Sequence, residues 1–185
     1  VYSQSDEESY VLELGDNGRY LEIGSYDGKT FSNTRALAEK GWEGVCVEPA
    51  PHAFDAMCSD PPPHAILVNA LVGKHTGLVR FHYSKDAVST TERKHARKWA
   101  SLVAFTPIHV MAISVSHLLT EFPGPFDLIS VDTEGTTVQI VEDLIPHLDT
   151  LETRCLIYEH DEVFLKVPGF DEVHRTPENA ILVRS

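Results

Sequence analysis

Two rhythms of apolar residues organise this chain. Short hydrophobic runs of strand length recur at residues 19–23, 45–48, 65–68, 79–83, 110–115, 126–131 and 155–158, bounded by glycine, proline or polar clusters as buried strands are. Between several of them the period lengthens to that of a helix. Residues 6–14 read as a lead-in helix, and Ser32 with Asn33 opens a second that runs through Leu37, Ala38 and Lys40 to Gly41, a residue suited to the left-handed turn after a helix. Pro49-Ala50-Pro51 leads into a short helix around 54–57. Residues 60–63 form a loop, because Pro61, Pro62 and Pro63 can neither donate to a ladder nor continue a helix. Residues 73–77 turn the chain into the 79–83 strand, a hairpin-like excursion within the plan. Val138, Val141, Leu144, Ile145 and Leu148 make the apolar stripe of a later helix, which Pro146 ends early or bends. The last two runs, 170–174 and 180–184, flank Thr176-Pro177-Glu178-Asn179 and predict a closing antiparallel hairpin. The expected class is therefore α/β, with a mostly parallel, doubly wound sheet and a C-terminal antiparallel hairpin.

The stretch from Glu22 to Gly28, EIGSYDG, joins the first strand to its helix through two glycines. Glu48 closes the next strand, where a doubly wound sheet places the carboxylate that accepts hydrogen bonds from both hydroxyls of a ribose. The cofactor is thus expected to contain adenosine. A dinucleotide site wants G-x-G-x-x-G so that backbone amides can approach a pyrophosphate. Here the spacing is Gly24-Ser25-Tyr26-Asp27-Gly28, with Glu22 before it and Asp27 inside it. Two carboxylates repel an anionic pyrophosphate and suit a ligand carrying an ammonium and a sulfonium. S-adenosyl-L-methionine fits this loop better than NAD.

Three stretches carry a family resemblance: GSYDGKTFSNTRALAEKGWEGVCVEPAPHAF, the later FDLISVDTEG, and Asn179-Ala180-Ile181-Leu182-Val183, with Ser3-Gln4 near the start. Together they resemble the FkbM-type S-adenosylmethionine-dependent methyltransferases over nearly the whole chain. The resemblance implies a Rossmann-like class I methyltransferase fold. It implies that Glu22, Gly24 and Gly28 line the methionine end of the cofactor, with Ser25 and Asp27 in the same loop. Glu48 would bind the ribose, and Asn69 with Ala70 would lie along the adenine. Asp132 and Glu134 of VDTEG would sit near the transferable methyl. The family pattern carries a second acidic residue three places after that glutamate, where this chain has Thr137.

Composition narrows the partners. A chain of 185 residues that is 42% hydrophobic and 23% charged is expected to be one domain spanning 1–185. Its formal net charge of −13 stays negative even with every histidine protonated. Nucleic acid and anionic membrane surfaces are thus disfavoured, since binding there depends on Lys and Arg displacing counterions. Cys46, Cys58 and Cys155 show neither a disulfide framework nor a zinc spacing, so a reducing cytoplasm is the expected location. No apolar run approaches the roughly 20 residues that span a bilayer. Starting at Val1 rather than Met leaves room for a trimmed upstream segment.

Methyl transfer from a sulfonium asks mainly for alignment of acceptor and methyl, and a base helps when the acceptor is a hydroxyl. Asp132, Glu134, Glu159 and His160 end the two strands at the carboxyl edge, where open α/β sheets bind ligands. Asp132, Glu134 and His160 are the catalytic candidates. The ten histidines show no ligand spacing, and although Asp132, Glu159 and Asp161 are acidic enough for magnesium, no metal is expected. Residues 84–106, with the basic Arg93-Lys94 and Arg97-Lys98, His95, Trp99 and Phe105, read as a mobile lid over the ligand or, alternatively, a solvated helical face. The expected activity is O-methylation of a small hydroxylated acceptor such as a sugar or natural-product intermediate. A non-catalytic cofactor-binding module and an NAD-binding oxidoreductase are the alternatives.

Overall fold

The structure is a computed structural model that describes residues 1–86, 88–92, 97 and 99–185. Arg93, Lys94, His95 and Lys98 lie outside the described residues, and with them most of the basic cluster. The chain enters through α1 (Glu7–Val11), which a 3-10 turn extends to Leu14. The strands and helices then follow as β1 (Arg19–Ile23), α2 (Arg35–Glu39), β2 (Glu43–Val47), α3 (Pro51–Ser59) and β3 (Ala65–Val68). Next come β4 (Leu71–Gly73), β5 (Gly77–Tyr83), β6 (Thr106–Ser114), α4 (Val115–Glu121), β7 (Leu128–Val131) and α5 (Thr137–Leu144). The chain closes with β8 (Cys155–Glu159), β9 (Phe170–Arg175) and β10 (Asn179–Arg184).

Seven strands form the main sheet in the order β3-β2-β1-β7-β8-β10-β9. The first five run parallel, and β10 is antiparallel to both β8 and β9, so the mixed α/β sheet with its closing hairpin is as expected. Alternate residues of each strand feed two cores, as the twofold period of a strand dictates. Leu21, Ile23, Val45, Val47, Ile129, Val131 and Leu156 pack with Val115 and Leu118 of α4 and Ile140, Val141 and Leu144 of α5. Tyr20, Cys46, Leu128, Cys155 and Ile157 pack on the other face with Val11, Leu37, Trp42 and Met57. Helices therefore cover both faces, which is why the parallel strands read as continuous apolar runs.

Two features differ from the pattern reading. The expected excursion is a separate three-stranded sheet, β4-β6-β5, in which β5 and β6 pair antiparallel and β4 joins β6 in parallel. Helix α4 was not visible in the periodicity, because it spans only seven residues directly after a strand. Its N-cap is Ser114, whose hydroxyl accepts from the backbone N–H of His117 at 3.2 Å. Pro146 lies beyond the last residue of α5, in a 3-10 turn from Ile145 to His147, so the helix does end where proline is expected to end it.

Candidate active site

The turn after β1 is tied to the end of β2. The N–H groups of Gly24 and Ser25 both donate to Val47 O, at 2.9 and 3.1 Å, and Asp132 N donates to Ile23 O at 2.9 Å from the end of β7. Three parallel strands thus deliver Glu22, Glu48 and Asp132 to one edge. Gly24 has φ +86°, and a Cβ there would collide with the carbonyl oxygen of Asp132. Gly28 is needed for a different reason. Its φ is +70° and a Cβ would meet Met57 Cγ at 2.9 Å, so it serves the packing of the loop on α3 and lines neither cavity described next.

A cleft of about 690 Å³ opens at this edge between Glu48 to Ala50, Ala70 to Val72 and Asp132 to Glu134. Asp86, Ser89 and Thr90 wall it on the side of the 84–92 segment. Thr90 is buried, pairs with His82 in an isolated bridge, and donates its hydroxyl to Glu134 O at 2.7 Å. A second cavity of about 360 Å³ adjoins the first and shares Gly24, Tyr26 and Asp132 with it. Glu22, Ser25, Thr30, Phe31, Ser32, Asn33 and Ser130 complete its walls. Among the described residues, no lysine, arginine or histidine lines either space.

Glu48 is 7% exposed. Its carboxylate accepts from Ala50 N at 2.7 Å and Tyr26 N at 2.9 Å, while burial pushes its pKa up to about 7 against those hydrogen bonds. Asn69 donates to Glu48 O at 2.8 Å and so braces the end of β2; it is Ala70, not Asn69, that lines the cleft. Glu22, at 4% exposure, accepts from Ser32 Oγ at 2.9 Å, and burial likewise raises it to about 7. Ser25 Oγ donates to Glu22 O at 3.1 Å. Asn33 donates its amide to Ser130 Oγ at 3.2 Å, and its Oδ1 is buried without a partner. With the carboxyl groups of Glu22 and Asp132 on the same walls, this cavity favours a donor-rich or cationic ligand.

Asp132 lines both cavities. Burial raises its pKa, and that of neighbouring Glu159 is raised by burial and by the charge of Asp132. Glu134 lines the larger cleft and stands on a strained backbone with φ +29°. Besides Gly28 and Asn69, two further candidates are placed elsewhere. Asp27 accepts from Lys29 N at 2.9 Å, Thr30 N at 2.6 Å and Thr30 Oγ1 at 2.7 Å; it caps the turn and lines neither cavity. His160 is buried, with Nδ1 accepting from Glu162 N at 3.0 Å and Nε2 3.3 Å from Thr176 O. It lines an outer cavity of about 710 Å³ with Glu159, Asp161 and Glu178 rather than the cleft. Among the described residues, no group of three or more His, Cys, Asp or Glu could hold a metal ion. The pattern reading missed Asn33, Ser130, Tyr26 and Thr90 as wall residues. Ser32 and Asn33 carried only a helix-start signal, while Tyr26, Ser130 and Thr90 lay inside stretches singled out for other residues: the EIGSYDG loop, FDLISVDTEG and the 84–106 segment.

A model of the methyltransferase FkbM domain matches residues 22–174. Among solved structures, the chain is similar to methyltransferase FkbM from Methylobacillus flagellatus KT, with a TM-score of 0.62 and 10% identity over 98% of this chain. The match covers 48% of that protein, so this chain spans about half its length. It is also similar to an rRNA methylase from Streptococcus thermophilus, with a TM-score of 0.52 and 10% identity, covering 96% of this chain and 93% of the other. At these identities the structural likeness concerns the fold alone. No curated protein matches it in sequence.

Proposed function

The chain belongs to the FkbM methyltransferase domain family, and on that premise we propose that it binds S-adenosylmethionine in the two joined cavities and methylates the oxygen of a small hydroxylated acceptor. When bound, the cofactor supplies a methyl group on a cationic sulfonium. The observation that carries the reading is the smaller cavity: Glu22, Asp132 and Asn33 line it, and no basic side chain among the described residues does. That set suits an ammonium and a sulfonium and opposes a pyrophosphate. Glu48 keeps lone pairs beyond its two backbone donors, enough to accept from ribose hydroxyls. Asp132 and Glu134 face the space beside it, where a carboxylate can orient the acceptor and take its proton. Asp86, Ser89 and Thr90 exclude water from one side. We read residues 1–185 as one catalytic unit acting on a small molecule. The net charge of −13 disfavours an RNA substrate such as the one that names its fold neighbour.

Isothermal titration with S-adenosylhomocysteine and with NAD tests the cofactor. The expected outcome is binding of the first and not the second; NAD binding alone would overturn the reading. Incubation with labelled S-adenosylmethionine and a library of neutral hydroxylated metabolites tests the reaction. A methylated product in which the new bond is to nitrogen or carbon would overturn the O-methyl assignment.

A further inference from the structure

Asp132 and Glu159 occupy matching places on neighbouring strands. The β7–β8 register pairs Val131 with Tyr158, so the next residue on each strand carries its carboxyl to the same side of the sheet, about 4.8 Å along the hydrogen-bonding direction. Burial raises the pKa of both carboxyls, and the charge of Asp132 raises that of Glu159 further, so a pair placed side by side by the strand register favours holding a proton. They face different spaces. Asp132 lines both cavities of the cleft. Glu159 lines the outer cavity, whose Asp161 and Glu162 are exposed. Thr137 steadies Glu159, donating to its Oε2 at 3.4 Å while accepting from Thr133 N at 2.9 Å.

We propose that Asp132 and Glu159 form a proton relay across the sheet edge, from the acceptor in the cleft to solvent in the outer cavity. Asp132 takes the acceptor's proton, and Glu159 is the positioning residue that shares it and passes it on. The relay rests on the methyltransferase reading. As the acceptor oxygen bonds to the methyl carbon, the carbon–sulfur bond breaks with its electron pair left on sulfur, and the hydroxyl proton moves to Asp132. A cationic sulfonium becomes a neutral thioether in the same step, so the returning proton keeps the charge of the site constant. The arrival of the next sulfonium expels that proton through Glu159. Among the described residues, the charged groups that act on the pair are acidic: Glu159, Asp161, Glu7 and Glu178 around Asp132, Asp132, Glu134 and Asp161 around Glu159, with Glu22 on β1 and Glu48 beyond β2 also sensing Asp132. All of them favour retention of the shared proton until a cation enters.

Calorimetric titrations with S-adenosylmethionine and S-adenosylhomocysteine, run near neutral pH in buffers of different ionisation enthalpy, count the protons released. Groups near the ammonium and the ribose respond alike to both ligands, so the difference isolates groups that sense the sulfonium. The relay predicts most of a proton more released with S-adenosylmethionine in the parent and no such difference in Glu159→Gln. S-adenosylhomocysteine affinity should stay within about twofold of the parent. Equal release in the parent, or a difference that survives in the variant, overturns the relay. If the variant does not fold, carbon-13 carboxyl shifts of the parent bound to S-adenosylhomocysteine decide the point. Joint titration of Asp132 and Glu159 above the ordinary carboxylate range supports the relay, and an ordinary Glu159 overturns it. A parent that binds neither ligand fails the methyltransferase reading itself, a result distinct from binding with equal proton release.

Discussion

Gly24 shows what a single residue contributes at the junction of three strands. Any side chain at φ +86° would collide with Asp132 O, so the glycine permits both the turn and the approach of β7 to β1. Gly24→Ala should cost roughly 1–3 kcal/mol in backbone strain, with more from the collision, and should abolish S-adenosylhomocysteine binding. Urea unfolding and titration calorimetry check both, and a parental unfolding midpoint would contradict the geometry. Glu22 and Glu48 set a pH dependence. Burial raises each from an ordinary 4.5 to about 7, so between those values the native state holds protons that the unfolded chain has released. Their contribution is complete below the unfolded pKa and disappears as pH rises through about 7. The unliganded protein should lose up to about 3 kcal/mol per group across that window. Urea unfolding at a series of pH values measures it, and stability that climbs from pH 5 to 7 would refute the assignment. Both glutamates were legible from spacing, because Glu22 sits one residue before the end of β1 and Glu48 one residue beyond the end of β2, where the strand fixes the direction of the side chain. Asp27 was not, because within a loop the local turn decides direction, and here it aims the carboxylate at Lys29 N and Thr30 N.

Elements of strand length were the most legible part of the chain, since both faces of a parallel sheet are covered and most strand positions are apolar. Which sheet a strand joins is not a local property. Strands β5 and β6 carry ordinary strand patterns, yet they pair away from the main sheet. Helix α4 depends on its cap more than on its period. Ser114→Ala removes the acceptor for His117 N and should destabilise the protein by about 1 kcal/mol. Chemical denaturation checks it, and Ser114→Asn or Ser114→Asp should restore most of the loss; no effect in Ser114→Ala would mean that packing of Val115 and Leu118 alone holds the helix.

Across the whole molecule, the two ends of the chain are joined by Glu7. The carboxylate is buried and accepts from Ser5 N, Thr176 Oγ1 and Asn179 Nδ2, each at 2.9 Å. Burial opposes its charge, but these hydrogen bonds outweigh that and hold its pKa below the ordinary carboxylate range. Its contribution is therefore present above the unfolded pKa and lost as pH falls through the depressed one. Glu7→Ala strands three donors between α1 and the closing hairpin and should cost at least about 3 kcal/mol. Hydrogen exchange should show β9 and β10 opening more readily in the variant; protection equal to the parent would show that the network is not a tie.

The sequence by itself determined the α/β order, the family, and the places of Glu22 and Glu48, because periodicity and chain connectivity act over short separations. Only the tertiary structure decided that Asp132 stands beside Glu159, that Asn33 Oδ1 is left without a donor, that Thr90 latches onto the turn of Glu134, and that His160 lines the outer cavity rather than the cleft. Each depends on register between strands distant in sequence or on the docking of one segment against another. Those choices minimise the free energy of the whole packed chain, and no local pattern encodes them.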